Sequence, residues 1–324
     1  MAGWVALSDR PLPLDGLPAG RMLHCGRLIV EVTTPVAGPA VLLDDTGPNH
    51  ALSMYLSRDG AVTVWRREGA SSTRLTLPGP LPSGPGVIRL TMEWAGSNWA
   101  LQRDALGHAR ARVLGTGALP LSLPRFLTLC EGRGTTSRHG AVLWFGLTDG
   151  PPPPERAPWI GPNTPIATPT GFRPAARLLP GEMVMTDAGP RMLRSVRQLD
   201  LPARGHYAPI LLRAPFFRNA RDLLVSADQL VMLHGPEIEY QLGEDAVLAE
   251  ARHLACGTAA LQDDRRAVIR VIVLDLGEAR LISSDGCAFG LLGPEGPPAL
   301  RKLHGYEAAA LFSSTGGGQR HRAA

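Results

Sequence analysis

Eight short segments of the chain share one pattern, an alternation of apolar and polar residues with a period of two. They are RLIVEVT (27–33), HALSMYLS (50–57), AVTVWRR (61–67), TRLTL (73–77), VIRLTMEW (87–94), WALQRD (99–104), RFLTLC (125–130) and AVLWFG (141–146). Successive side chains of a strand point to opposite faces, so each segment reads as a strand with one buried face. Turn sequences such as DDTG, RDG, EGASS and PGPLPSGPG separate them, and no convincing helical run lies between. Parallel strands need long crossovers, usually helical, so the pattern predicts antiparallel pairing and an all-β fold built as a two-sheet sandwich.

A break follows at LTDGPPPPERAPWI (147–160), where four consecutive prolines favour an extended spacer that cannot join a sheet ladder. With 324 residues, the chain is long enough for two cores. The expected division is a sandwich over 1–148, a spacer over 149–158, a second domain over 159–294, and a C-terminal helix with a flexible tail over 295–324.

Charge and composition narrow the classes further. The formal net charge is +4 and the arginines are scattered along the chain, which argues against a nucleic-acid footprint. The apolar run VIRVIVLDL (268–276) is too short to span a bilayer, and the N-terminus lacks the basic and apolar blocks of a secretory signal. A soluble chain follows, cytoplasmic by default, with export by a route without a cleaved signal as the alternative. Cys25, Cys130, Cys256 and Cys287 lie far apart with no metal-ligand spacing, so the expectation is free, mostly buried thiols.

In the first half, the hairpin GVIRLTMEWAGSNWALQRD, with Trp94 and Trp99 on either side of its turn, resembles the concanavalin/laminin-G type of sandwich. Such sandwiches bind carbohydrate or protein ligands, and some hold calcium on rim loops. Asp44, Asp45 and Asn49 in LLDDTGPNH are the oxygen ligands available for that, against the alternative of a strand-ending turn whose Asp and Asn cap their own backbone. Trp65, Trp94 and Trp99 are candidates for stacking on a sugar ring, with burial in the core as the other reading.

The second half carries a longer likeness. TPIATPTGFRPAARLLPGEMVMTDAGPRMLRSVRQLDL (164–201), RDLLVSADQLVML (221–233), AEARHLA (249–255), VIRVIVLDLGEARLISSDG (268–286) and PALRKLHGYEAAAL (298–311) resemble, in order, the blocks of the bacterial Hint domain, the hedgehog/intein self-processing fold. The resemblance implies a β-fold, no cofactor, and chemistry that begins with a cysteine as first residue of the domain. Its thiol attacks the preceding carbonyl, and a histidine in a Ser/Thr-x-x-His motif protonates the leaving nitrogen.

Carried onto this sequence, the nucleophile position falls on Trp159, the scissile carbonyl on Pro158, the motif serine on Ser226 and its histidine on Gln229. A further histidine position of relatives is occupied by Leu276 and Gly277. An indole supplies no nucleophile, and an amide delivers no proton at neutral pH. The expectation is therefore a degenerate, non-catalytic scaffold fused to a binding sandwich. The alternative is autoproteolysis near Pro158 by an unorthodox nucleophile, for which Thr164 and Ser226 offer hydroxyls and His206, His234 and His253 are the histidines of the expected domain 159–294. His253 lies in a stretch the family also uses, and a packed structural role is its other reading.

Overall fold

The computed structural model describes residues 4–9, 20–105, 108–150 and 157–318, which leaves the proline run and the residues after 318 outside the described residues. The chain divides into two compact units, Met1–Pro153 and Pro154–Ala324. Among the described residues no helix is long and apolar enough to cross a membrane.

In the first unit a six-stranded sheet runs in the order Ala6–Leu7, Val142–Thr148, Cys25–Thr34, Gly86–Ala95, Asn98–Ala105, Ala111–Thr116. A five-stranded sheet runs Ser137–Arg138, Ala40–Gly47, His50–Leu56, Val62–Glu68, Ser71–Leu77. Every pairing within them is antiparallel. Alternation explains the core directly: Leu28, Val30, Val32, Leu90 and Met92 from one sheet join Leu42, Met54, Val62 and Val64 from the other in one buried cluster. Trp94 and Trp99 face each other across the hairpin and are both buried, each donating its indole N–H to a backbone carbonyl, of Leu23 and Thr116 respectively. Trp65 is half-buried and donates to Ser72 Oγ.

One expected strand is a helix. RFLTLC lies in Leu123–Glu131, which carries proline in its first turn and ends on Gly132 in the left-handed region at φ 64°. Leu123, Phe126, Leu127 and Cys130 recur at three and four residues, so the same apolar letters also satisfy a helical period. Pro124 lacks the N–H a ladder needs and fits the first turn of a helix, and that decides between the two. The helix buries Phe126 edge-on against Phe145, with ring centroids 5.8 Å apart. Strands Ala40–Gly47 and Ala111–Thr116 add to those expected from alternation.

The second unit holds a six-stranded antiparallel sheet in the order Gly189–Met192, Met183–Thr186, Arg280–Ser284, Cys287–Leu291, Leu230–His234, Ala246–Glu250. A three-stranded sheet orders Leu223–Ser226, Pro209–Leu212 and Ala260–Gln262. The long pair Ser195–Pro202 with Val268–Asp275 and the hairpin Pro165–Thr168 with Gly171–Pro174 complete it, and the helix Gly305–Gly318 follows the last strand. Its core gathers Ile166, Val184, Ile210, Val225, Val231, Val247, Ile272 and Phe289.

The thiols are free, but only Cys287 is fully buried; Cys130 is half-buried, and Cys25 and Cys256 are exposed. Cys25 opens its strand at the sheet's end and Cys256 lies in the turn after a short helix, where no packed layer covers them. Burial pushes the Cys130 and Cys287 thiols up to about 12, so neither is a nucleophile at neutral pH.

Candidate functional site

Residues 159–161 thread between two strands of the second unit. Ile160 exchanges backbone hydrogen bonds with Ile272, at 3.0 Å from its own N–H and 2.9 Å to its carbonyl. The N–H of Gly161 donates to Leu224 O at 2.7 Å, and that of Ser226 to Trp159 O at 3.0 Å. Gly161 permits this approach: a Cβ there would lie 3.2 Å from both Cβ and O of Leu224. The bond between Pro158 and Trp159 is thus presented beside the end of the Leu223–Ser226 strand.

Ser226 grips that bond from the other side. Its Oγ accepts the N–H of Trp159 at 3.2 Å, with both residues buried. A turn follows in which the Gln229 N–H donates to Ser226 O at 3.1 Å, and this turn brings Gln229 back beneath the strand end. Gln229 is 1% exposed. Its amide nitrogen donates to Gly290 O at 2.9 Å and to Leu230 O at 3.2 Å. Those two residues are register partners in the large sheet, so the side chain works as a bracket between neighbouring strands.

The other sequence candidates stand apart from this pair. Thr164 is buried, and its backbone closes a turn onto Gly161 O at 3.1 Å while its carbonyl accepts from Ala175. No histidine, carboxylate or lysine hydrogen-bonds the hydroxyl of Ser226 or Thr164 among the described residues, so neither has a base to activate it. His253 follows the turn on the short helix Ala251–Leu254, which is anchored where the Ala251 and Arg252 N–H groups donate to Gln229 O and Ala227 O, both at 2.9 Å. Its ring stands 3.7 Å from Glu250, and a Cβ on Gly305 would come within 2.9 Å of it, so it packs against the start of the C-terminal helix. Burial holds its pKa below the ordinary histidine value.

His206 lies on the short helix Gly205–Tyr207, and His234 ends the strand that Gln229 precedes. Leu276 is core, and Gly277, at φ 74°, donates its N–H to Asp275 Oδ1 at 2.7 Å. Ile160, Gly161 and Gly290 complete the frame through backbone groups, for which the sequence carries no signal beyond the glycines.

In the first unit, Asp44 and Asp45 are consecutive on one strand and so point to opposite faces. Asp44 accepts from Thr46 at 3.0 Å and Asp45 meets the His50 ring at 3.2 Å, while Asn49 sits in the turn that joins the strands. Among the described residues no three His, Cys, Asp or Glu side chains converge as a metal site.

No curated protein matches the sequence. Of solved structures, tailspike protein 2 of an Escherichia coli O157:H7 bacteriophage is 14% identical with a TM-score of 0.25, over 40% of this chain and 18% of that one. A SAP-like pentraxin from Limulus polyphemus is 11% identical with a TM-score of 0.23, over 45% of this chain and 58% of that one. Domains LG4-5 of the mouse laminin alpha1 chain are 10% identical with a TM-score of 0.25, over 89% of this chain and 74% of those domains. The chain spans less than two thirds of the first two. The Hint domain family model matches residues 160–292, starting directly after Trp159. Over those residues the chain carries a Hint domain, a scaffold of the autoprocessing type.

Proposed function

We propose that this Hint domain is a scaffold without self-cleaving chemistry, joined through the proline-rich spacer 149–158 to a sandwich that does the binding. One observation carries the reading: the backbone N–H of residue 159 lies against Ser226 Oγ at 3.2 Å, as a cleavage frame requires, while the residue itself is a tryptophan. Beside it, the motif's proton donor is replaced by Gln229, whose amide is committed to two carbonyls. General acid catalysis is typically worth about 10²- to 10⁴-fold, and cysteine is the side chain with appreciable nucleophile already present near pH 7. With neither supplied, the uncatalysed peptide bond is the outcome. For the sandwich we propose a carbohydrate or protein ligand.

The test is to incubate purified full-length protein with dithiothreitol or hydroxylamine at neutral pH for days and measure intact mass. A single full-length species supports the reading. A thiol- or hydroxylamine-dependent pair of fragments meeting at Pro158 overturns it and assigns the step to another nucleophile.

A further inference from the structure

In the first unit, a cavity of about 20 Å³ lies between the strand Val62–Glu68 and the start of the helix Leu123–Glu131. That is room for one water-sized occupant. Val62, Val64 and Arg66 alternate onto the core side of their strand, and all three are buried. Arg67 leaves from the other face, its guanidinium over the Trp65 ring.

Arg66 is a cation in the core without a counter-charge. It is 3% exposed, and its two terminal nitrogens donate to Leu119 O at 3.2 Å and Pro120 O at 2.7 Å. Its Nε is buried with no acceptor, and among the described residues no carboxylate stands within ion-pair distance of it. Burial pulls its pKa down to about 10, with only the more distant charge of Glu68 opposing. Buried charges are costly unless paired.

The facing helix brings a second donor. Arg125 Nη1 is also buried without a hydrogen-bond acceptor, Glu68 lying 3.8 Å away. The N-cap, Ser122, makes no side-chain bond, Pro124 has no N–H, and the first turn holds no acidic residue, so the positive end of the helix is uncompensated. The two carboxylates at the cavity are already engaged, Asp45 with the His50 ring at 3.2 Å and Glu68 with Arg125. Arg66, Arg67 and Arg125 against Asp45 and Glu68 leave the lining one surplus positive charge.

We propose that this cavity binds one halide ion of chloride size, held by Arg66 Nε and Arg125 Nη1 at the N-terminus of the helix. Size and charge choose the occupant. A halide supplies the missing acceptor and the missing counter-charge together, whereas water supplies only the first. Sulfate, phosphate and carboxylates are too large for a cavity of one water's volume. The bound ion ties the helix to the five-stranded sheet, and the stability of the sandwich becomes chloride-dependent.

The test is scanning calorimetry of full-length protein at constant ionic strength, with sodium chloride or bromide replacing sodium gluconate. One transition, that of the sandwich, is expected to rise saturably, by at least about 3 °C once halide is in tenfold excess over its dissociation constant, while the other stays in place. Arg125→Met, which leaves Arg66 intact, is expected to need at least about tenfold more chloride for the same rise, since a charge-assisted hydrogen bond is worth roughly 10- to 100-fold. Crystals grown in bromide are expected to show an anomalous peak between Arg66 Nε and Arg125 Nη1. Midpoints indifferent to halide overturn the proposal, as do equal rises in both transitions or a halide dependence unaltered in the folded variant. Density in the cavity without the anomalous signal of bromide identifies water and overturns it without recourse to any variant.

Discussion

Gln229→Leu keeps the bulk of a buried side chain and removes its hydrogen bonding. The amide nitrogen donates to Gly290 O at 2.9 Å and Leu230 O at 3.2 Å, and water has no access to either bond, the residue being 1% exposed. A buried polar group left without its partner costs about 1–3 kcal/mol. Both carbonyls belong to register partners in the sheet, where each has a second lone pair available for the ladder, and the longer bond is the weaker one. The loss therefore sums to about 2–3 kcal/mol, near the low end for two groups. For a unit of this size, about 2–4 °C per kcal/mol lowers the melting temperature of the Hint unit by roughly 4–12 °C. Differential scanning calorimetry of the full chain reads this as a shift of one transition with the other unchanged. Gln229→Glu is expected to lose more, because an ionised carboxylate has no donor to offer and would face two carbonyls. A loss below about 0.5 kcal/mol for Gln229→Leu, the range of an ordinary surface change, would refute the bracket and with it the physical reason for an amide here.

Three further outcomes follow from the same chemistry. Limited proteolysis is expected to cut first between Thr148 and Ile160 and leave two folded pieces; a first stable cut inside 87–94 or 221–233 would refute that division. His234 and His253 have folded pKa values below the ordinary 6.5, so the unfolded chain binds more protons; stability is complete above about that pH and falls as pH drops through it. The urea midpoint should decrease from about pH 7.5 to 5.5, and the decrease should flatten in the paired variant His234→Gln with His253→Gln. In the sandwich, Glu31 and Arg89 are fully buried and paired at 2.6 Å, and Glu31 also accepts the Trp144 indole N–H at 2.8 Å. Arg89→Met removes the cationic partner of a buried carboxylate and is expected to cost about 3–5 kcal/mol by denaturant titration.

The sandwich was legible because a half-buried strand writes its face into every second residue, as Leu75 and Leu77 do on either side of Thr76. RFLTLC misled because four apolar letters in six fit both periods; only Pro124 carries the distinction, and it stands just outside the segment. The position of Trp159 beside Ser226 follows from the order of motif blocks, since the turn from Ser226 to Gln229 is local. The partner of Gln229 was not legible: Gly290 lies 61 residues away and contributes a backbone carbonyl, which leaves no mark on the sequence.

The central claim is that a cleavage frame persists without its reacting groups, and restoring both groups tests it most directly. Trp159→Cys places a thiol at the residue whose N–H already meets Ser226, and Gln229→His places a proton donor in the turn after it. Pro158→Gly is included to free the carbonyl that must be attacked. Groups held together react far faster than in a bimolecular encounter, so the combined variant should yield two fragments meeting after residue 158 in dithiothreitol, with the thioester trapped by hydroxylamine. Either site change alone should yield far less, because nucleophile and acid act as a unit. A combined variant that melts as a folded protein, yet gives neither fragments nor a hydroxylamine adduct by mass spectrometry, would contradict the claim.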